Sequence, residues 1–226
     1  KEDNRPITEK TEKKLIQYTN QVIPGMDGVI CSDYHKGILT EKVVKAVMNR
    51  AKKFKKAVIV DPKSSDFSLY KGAAVITPNL REISRSVPIK IKDKEDLGRA
   101  AEYLLNLTKA EAILITQGKD GMSLYQNKDE LISISTVAKE VFDVTGARDT
   151  VISVFSMAVF VGFDYQEAAW LSNMAASVVV GKVGTAVVTL EEINEFLQEE
   201  MLRTSHTVLK LDELKKIISM AKSSDK

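Results

Sequence analysis

Cysteine is almost absent from this chain, which has one, Cys31, among its 226 residues. A single cysteine excludes a disulfide framework within the chain and favours a reducing, cytoplasmic setting. Because Cys31 ends an apolar run, we expect a buried structural thiol rather than a nucleophile.

Long apolar runs and an excess of charge of one sign are also missing. No stretch approaches the roughly 18 uninterrupted apolar residues of a membrane span, and the charged start KEDNRPITEK does not have the pattern of a signal peptide. Lys and Arg number 33 against 31 Asp and Glu, so the balance favours neither a nucleic-acid nor a membrane partner. The basic run at 50–56, RAKKFKK, is most simply the solvated end of a helix.

Several common site signatures are lacking as well. The only histidines are His35 and His206, so no His/Cys cluster has metal-ligand spacing and no Ser-His-Asp order is convincing. No G-x-G-x-x-G motif follows the first apolar run, which argues against a dinucleotide-binding protein.

What the chain does contain is an alternation of short apolar runs and helical stretches. The runs are continuous rather than alternating, which is typical of parallel strands buried on both faces. They are GVIC (28–31), AVIV (57–60), AAVI (73–76) and AILI (112–115). Helices are predicted near 9–20, 40–54, 79–86 and 94–107, with Thr40 as an N-cap. The pattern predicts an α/β fold whose mostly parallel sheet is covered by helices on both faces, in one sizeable domain with room for a small appendage.

The second half of the chain predicts a hairpin and more helices. MSLYQ (122–126) and LISIS (131–135) are typical of an antiparallel hairpin. Apolar helices are predicted near 147–161 and 165–181, followed by one at 190–202. Asp164 with Glu167 and Thr189 with Glu192 have the spacing of capping boxes for the last two.

Each of the four apolar runs is followed by polar, turn-forming residues. In open parallel sheets, ligands bind beyond the carboxyl ends of the strands. Polar residues also simply begin loops, and that explanation would suffice for any one run. Four in succession make this edge of the sheet a candidate site.

The stretch TGARDT (145–150) leads from a small-residue turn into an apolar helix. Gly146 and Ala147 permit close approach of the backbone at a helix N-terminus, where free N–H groups attract phosphates. Asp149 then has two interpretations. It is either a favourable charge at a helix start, or a general base placed beside a phosphate.

At these residues the chain resembles the ribokinase-like (PfkB-type) sugar kinases, whose signature D-[TV]-[TV]-G-A-G-D-T is similar to DVTGARDT. Four longer stretches narrow the resemblance to the kinase half of bifunctional ADP-heptose synthesis proteins. They are SDYHKGILT (32–40), VDPKSSDFSLYKGAAVITPNLREI (60–83), EVFDVTGARDTVISV (140–154) and AASVVVGKVGTAVVT (175–189). The resemblance covers about residues 1–205. It implies ATP-dependent phosphorylation of D-glycero-D-manno-heptose 7-phosphate at its anomeric hydroxyl, for lipopolysaccharide core precursor synthesis.

The resemblance also implies roles for particular residues. Asp149 matches the catalytic base, and Gly146, Ala147 and Arg148 occupy the anion hole for the transferred phosphoryl group. Asn79, Leu80, Arg81 and Glu82 match an N-x-x-E element used for ATP phosphates and Mg²⁺, with Asn79 and Glu82 as the metal-side residues. Nucleotide contacts are implied at Thr116, Gly118, Asn173, Gly181 and Gly184, and Lys63 could meet phosphate. Asp143 matches a position tied to a monovalent cation in some members, which leaves K⁺ open as a further cofactor.

Three departures from the family qualify these expectations. Arg148 stands where the family has glycine, and we expect its side chain to impair the anion hole, so that Arg148→Gly raises nucleotide affinity or turnover. The alternative is that its guanidinium contacts the phosphates. His35 stands where the family usually has glycine, and a solvated loop histidine is the simpler interpretation.

The third departure is at the start of the chain. The family's first strand, Gly-Gly sugar contact and β lid have no counterpart here, so we expect an N-terminally truncated core over 1–205. Residues 206–226 are expected to form a linker helix towards a nucleotidyltransferase domain in a longer parent chain. An unpaired sheet edge would then favour aberrant pairing and poor solubility. A homodimer through the lid is left open.

Three functions therefore remain in view. The first is the ATP-binding and catalytic part of a heptose-phosphate kinase, with ATP and a sugar phosphate as its small-molecule partners. The second is a kinase-like fragment or scaffold without catalysis. The third is a kinase of the same family for another sugar.

Overall fold

The structure is a computed structural model that describes residues 5–64, 66–126, 131–136, 146–182, 184 and 186–204, with side chains described as far as residue 199. The chain divides into two units, residues 1–187 and 188–226. The predicted boundary at 205/206 stays a prediction, because residues 205–226 lie outside the described part.

The first unit is built on one six-stranded sheet whose strands follow the order of the chain. The strands are β1 (Gly28–Ser32), β2 (Ala57–Asp61), β3 (Val75–Ile76), β4 (Ala112–Thr116), β5 (Met122–Gln126) and β6 (Ile132–Ile134). Strands β1 to β4 are parallel, and β5 and β6 are added antiparallel. This confirms the predicted mostly parallel sheet and the hairpin at its end.

Six helices cover the two faces of this sheet. They are α1 (Glu9–Val22), α2 (Glu41–Lys53), α3 (Leu80–Ser86), α4 (Lys94–Thr108), α5 (Ala147–Phe160) and α6 (Tyr165–Val180). Helices α1 to α4 contribute to one apolar cluster and α5 and α6 to the other. The α/β architecture with helices on both faces is therefore confirmed.

Strand β4 shows why the apolar runs are continuous. Successive strand side chains point to opposite faces, so Ile113 and Ile115 join the α1–α4 cluster while Leu114 joins the α5–α6 cluster. All three are completely buried, and burial of each side chain stabilises the fold by roughly 1.5–3 kcal/mol. A strand exposed on one face would not need this composition.

The predicted helix starts are confirmed by their caps. The Thr40 hydroxyl accepts a hydrogen bond from the Val43 N–H at 3.2 Å. Asp164 and Glu167 form a reciprocal capping box at the start of α6. These side chains satisfy N–H groups that have no partner within the helix.

Only half of one apolar run forms a strand. Only Val75–Ile76 of AAVI pair as β3, because Ala73 closes a turn, its N–H donating to the Tyr70 carbonyl at 3.1 Å. Tyr70 ends a short 3₁₀ helix, Phe67–Tyr70. Ala73 and Ala74 are buried although they lie outside the strand. The apolar run therefore predicts which residues are buried, but not the residue at which strand β3 begins.

Strand β1 lies at one edge of the sheet and, within the described residues, pairs only with β2. Its Ile30 side chain is 41% exposed, whereas Cys31 beside it is buried. Burial raises the pKa of the Cys31 thiol to about 12, as expected for a structural cysteine. Aberrant pairing at this edge stays a prediction.

The second unit begins with helix α7 (Leu190–Thr204). The Thr189 N–H donates to Glu192 Oε2 at 2.9 Å, and the Glu192 N–H donates to the Thr189 hydroxyl at 3.3 Å, which confirms the predicted pair. None of the helices in the described residues has the length and hydropathy of a membrane-spanning segment.

Candidate functional site

The predicted polar edge of the sheet borders a cavity of about 290 Å³. Its lining comes from the carboxyl end of β4, the turn that follows it, and helices α5 and α6. The lining residues are Asn79, Thr116, Gly118, Lys119, Gly121, Met122, Thr136, Ala147, Arg148, Val151, Asn173, Ala176, Ser177 and Val180. The strand ends and the helix start at 146–150 therefore meet at one place.

Helix α5 presents its N-terminus to this cavity. Gly146 caps the helix in the left-handed conformation, with φ +83°, which glycine adopts without steric cost. The first intrahelical hydrogen bond runs from the Thr150 N–H to the Gly146 carbonyl at 2.9 Å. Because the N–H groups before Thr150 have no carbonyl partner within the helix, this end of α5 favours an anion.

Asp149 lies in the first turn of α5 and is exposed. Its Oδ1 accepts a 2.8 Å hydrogen bond from the Tyr34 hydroxyl. This hydrogen bond and the nearby carboxylate charge raise the pKa of Tyr34 above its ordinary value. The predicted base is thus accessible to solvent and oriented by a phenol from the loop after β1.

That loop is itself held in place by Asp33. Asp33 Oδ2 accepts a 2.5 Å hydrogen bond from the Tyr70 hydroxyl, and Asp33 Oδ1 accepts one from the His35 N–H at 2.7 Å. His35 has φ +53°, a left-handed conformation that glycine would adopt with less strain.

The Arg148 side chain turns to two carboxylates. Its Nε donates to Asp61 Oδ1 at 2.6 Å, and its Nη1 and Nη2 donate to the two Glu82 oxygens, both at 2.7 Å. Asp61 ends β2 and Glu82 lies in the first turn of α3. The side chains of Asp61, Glu82 and Arg148 are only 2%, 12% and 22% exposed.

Burial and charge act against each other in this cluster. Burial raises the pKa of Asp61, and the facing guanidinium opposes that rise without cancelling it. Burial also acts to raise the pKa of Glu82, but hydrogen bonds from Arg148 and from the Asn79 N–H outweigh it and leave that pKa below its ordinary value. Burial acts to lower the pKa of Arg148, yet its contacts with Glu82 and Asp61 raise it, so the guanidinium stays charged.

Asn79 and Glu82 do lie together, but as a helix cap. Asn79 Oδ1 accepts from the Glu82 N–H at 2.9 Å, and Glu82 Oε2 accepts from the Asn79 N–H at 2.8 Å. Lys63 contacts Glu82 Oε1 at 3.2 Å. Since these oxygens already accept N–H groups or face cations, the pair does not fit Mg²⁺, which requires an octahedral shell of oxygen ligands.

No group of three or more His, Cys, Asp or Glu side chains with the placement of a metal site occurs among the residues that the structure describes. Asp143, the predicted monovalent-cation residue, lies outside them. The metal assignment of Asp143 stays a prediction, whereas the contacts of Asn79 and Glu82 do not support theirs.

The predicted nucleotide residues divide into two sets. Thr116, Gly118 and Asn173 line the cavity, and Asn173 Nδ2 donates to the Ser135 carbonyl at 2.8 Å, tying α6 to the end of β6. Gly181 and Gly184 do not line it, although Gly181 directly follows the lining residue Val180.

Two residues of the N-x-x-E element, Leu80 and Arg81, also lie outside the cavity lining, in the first turn of α3. Lys63 is linked to the site through Glu82 rather than through the cavity. Asp61 directly follows the apolar run AVIV (57–60), so it is one of the polar residues predicted at a strand end, but its partner could not be identified from the sequence. Sequence reasoning also missed Tyr34 and Lys119. Tyr34 lies within the matched stretch SDYHKGILT, which was the available signal.

The sequence of the chain is similar to those of several known proteins. Residues 4–193 match the pfkB family of carbohydrate kinases. The chain is 43% identical over 215 residues to Bifunctional protein HldE of Desulfatibacillum aliphaticivorans, covering 95% of this chain and 44% of that protein. Over 226 residues it is 39% identical to Bifunctional protein HldE of Geobacter sulfurreducens, covering 100% and 46%. The chain thus spans about half the length of the curated relatives it matches.

Solved structures share the fold. Arabidopsis thaliana ribokinase complexed with ribose and ATP superposes with a TM-score of 0.71 at 21% identity, covering 86% of this chain and 60% of that one. Escherichia coli phosphofructokinase-2 in complex with potassium gives a TM-score of 0.73 at 17% identity, covering 86% and 63%.

Proposed function

Because the chain belongs to the pfkB family of carbohydrate kinases, we propose that it is the ATP-binding and catalytic part of a sugar-phosphate kinase. The observation that carries the proposal is the start of helix α5. There a left-handed Gly146, a helix N-terminus and the exposed carboxylate of Asp149 come together beside a cavity.

The cavity would hold the nucleotide. Met122, Val151, Ala176 and Val180 provide apolar contacts for a base, and Thr116 provides a polar group. The open end of α5 would receive the phosphates, because its N–H groups and helix dipole favour negative charge.

The reaction needs only a few groups from the chain. Asp149 would take the proton from a sugar hydroxyl while the oxygen of that hydroxyl forms a bond to the γ-phosphorus of ATP. At the same time the bond between the γ-phosphorus and the bridging oxygen would break, and ADP would leave. The N–H groups of Ala147 and Arg148 would stabilise charge on the transferred phosphoryl group. Tyr34 would orient the Asp149 carboxylate, which its hydrogen bond supports.

For the substrate we propose D-glycero-D-manno-heptose 7-phosphate, phosphorylated at its anomeric hydroxyl in the cytoplasm. Support comes from the matched sequence stretches and from relatives named Bifunctional protein HldE. The bifunctionality that their name states, together with their greater length, also supports a second, nucleotidyltransferase domain in a longer parent chain, with 1–205 as the kinase core and 206–226 as the link. A homodimer and a K⁺ requirement belong to the same proposal.

A kinase-like fragment without catalysis is the second candidate. The observation that favours it is Arg148, whose side chain engages both Asp61 and Glu82 in a position that the resemblance gives to glycine. A kinase for another sugar is the third candidate, and substrate competition separates it from the first.

The first experiment is thermal melting of the chain with and without ATP. Saturation at 100 times Kd should add about 2.7 kcal/mol, or roughly 5–10 °C at this size. Ala176→Trp fills the cavity and should abolish the shift, whereas Gln166→Trp, on the exposed side of the same helix, should retain it. A shift that survives Ala176→Trp would place nucleotide elsewhere.

Turnover is then measured as ADP formed with heptose 7-phosphate, with and without the preceding segment of a relative added in trans. Asp149→Asn should retain the ATP shift and lose at least about 10²-fold in turnover. If the ATP-induced melting shift or the turnover appears only in Arg148→Gly, the result would favour a kinase that Arg148 impairs in the starting chain. No shift in either chain would favour the scaffold candidate.

A further inference from the structure

Arg148 is a half-buried cation with more oxygen neighbours than an ion pair requires. Its Nη2 lies 3.1 Å from the Pro62 carbonyl oxygen and 3.4 Å from that of Thr77, besides its contacts with Asp61 and Glu82. The nitrogen is therefore surrounded by oxygens of two carboxylates and two carbonyls. In proteins such a set of oxygens is typical of sites for hard divalent cations.

The two carboxylates require a cation at this position. The side chains of Asp61 and Glu82 are almost completely shielded from solvent. Burying two negative charges without a compensating positive charge would destabilise the fold. The guanidinium meets both and is assisted by Lys63 at Glu82. With two acidic and two basic side chains, the cluster is electrically balanced.

The same contacts leave no room for a metal ion. Glu82 Oε1 faces Arg148 Nη1 and Lys63 Nζ, and Glu82 Oε2 accepts from Arg148 Nη2 and the Asn79 N–H. A divalent ion could reach these oxygens only if the guanidinium left, and it would otherwise add two positive charges to a balanced cluster.

We propose that Arg148 is a resident cation that takes the place of a divalent ion between Asp61 and Glu82. The chain neutralises this carboxylate pair with its own guanidinium and binds no metal there. When the guanidinium is removed, the same oxygens form a site for Mg²⁺ or Mn²⁺. The proposal stands on this geometry and does not depend on whether the chain transfers a phosphoryl group.

The test is Mn²⁺ binding without nucleotide or sugar, measured by electron paramagnetic resonance of the free ion. The starting chain and Arg148→Lys, which retains a positive charge, should bind no Mn²⁺ tightly. Arg148→Ala should bind one Mn²⁺ per chain at least about tenfold more tightly, a difference of about 1.4 kcal/mol. Adding Glu82→Gln to Arg148→Ala should abolish that gain.

Equal Mn²⁺ binding by the starting chain and Arg148→Ala would overturn the proposal, as would a gain that persists in the double variant. Arg148→Ala could fail to fold because its carboxylates are uncompensated. In that case its melting transition should return when Mn²⁺ is added, and an Arg148→Ala chain that stays unfolded with Mn²⁺ would also overturn it. Since no kinase substrate is present, failure of the kinase proposal would leave these readouts unchanged.

Discussion

The Tyr34 hydroxyl donates a 2.8 Å hydrogen bond to the Asp149 carboxylate across 115 residues of sequence. It joins the loop after the edge strand β1 to the first turn of α5, where the proposed base lies. The pKa of Tyr34 should therefore depend on Asp149, and any turnover that uses Asp149 as a base should depend on Tyr34.

Tyr34 should therefore titrate above the ordinary tyrosine value, because its phenol donates to a carboxylate and its phenolate would be repelled by it. Asp149→Ala should lower the Tyr34 pKa towards about 10. Tyrosinate absorbance follows this titration, and subtracting the titration of Tyr34→Phe isolates the one residue. An unchanged Tyr34 titration in Asp149→Ala would mean that the hydrogen bond does not form in solution.

If Asp149 is the base, Tyr34→Phe should also reduce turnover by roughly 10- to 150-fold, because a hydrogen bond to a charged group is worth about 1.5–3 kcal/mol. The ATP-induced melting shift should stay the same, because Tyr34 does not line the cavity. Loss of both together would indicate that Tyr34 acts through folding instead.

Much of the fold could be predicted from the sequence because its signals are local. Continuous apolar runs, capping pairs such as Asp164 with Glu167, and the hairpin at 122–134 each depend on a few neighbouring residues. The position of the cavity also followed from local order, since parallel strands end at the same edge.

The direction of the Arg148 side chain could not be predicted in this way. The sequence indicated only that a long side chain follows Ala147 at a helix N-terminus. Its partners, Asp61 and Glu82, lie 87 and 66 residues away, and no periodicity relates those positions. Tyr34 was missed for the same reason, since a tyrosine in a loop carries no local sign of its partner.

Two glycines at one turn of the cavity should differ sharply in their tolerance of alanine. A Cβ on Gly121, at φ +88°, would lie 2.1 Å from the Ile134 carbonyl oxygen, whereas a Cβ on Gly118, at φ +62°, would meet nothing within 4 Å. Gly121→Ala should cost about 3 kcal/mol or more, because β6 must move and the backbone is strained.

Gly118→Ala is the matched control and should cost only the left-handed strain of about 1–2 kcal/mol. Urea unfolding of the two variants measures the difference in the free energy of unfolding. Equal costs would mean that β5 and β6 are not as closely apposed at Gly121 as the structure has them.

Ser156, in the middle of α5, is completely buried, and its hydroxyl is the one buried side-chain N or O atom without a partner in the part of the chain that the structure describes. Ser156→Ala should leave stability unchanged or raise it by up to about 1 kcal/mol, since an unsatisfied polar group is removed. Ser172 in α6 is equally buried but donates to the Ala169 carbonyl at 2.9 Å.

Ser172→Ala therefore loses a hydrogen bond and should be less stable than Ser156→Ala by about 1 kcal/mol. Both substitutions replace serine by alanine within a helix, so they raise helix propensity equally and remove the same hydroxyl oxygen. The difference between the two variants in the free energy of unfolding, measured by chemical denaturation, therefore reports the hydrogen bond of Ser172. The reverse order would contradict the placement of the Ser156 hydroxyl.

The contribution of Glu82 to stability should depend on pH in a defined direction. Its folded-state pKa lies below the ordinary value, because the hydrogen bonds from Arg148 and the Asn79 N–H outweigh burial. A carboxyl group of this kind stabilises the folded state above its unfolded pKa of about 4.3, and that stabilisation is lost as the pH falls through the lower folded value. Glu82→Gln retains the shape and the helix cap but not the charge.

The difference in the free energy of unfolding between the starting chain and Glu82→Gln should be about 1–3 kcal/mol at pH 7, as for hydrogen bonds to a charged group. It should begin to shrink near pH 4.3 and disappear at lower pH, where Glu82 is protonated in both folded and unfolded chains. Urea unfolding at a series of pH values measures it. Glu195→Gln, at an exposed position of α7, is the control and should change stability little at any pH. A Glu82→Gln difference that stays constant into the acid range would mean that Arg148 holds Glu82 by packing rather than by charge.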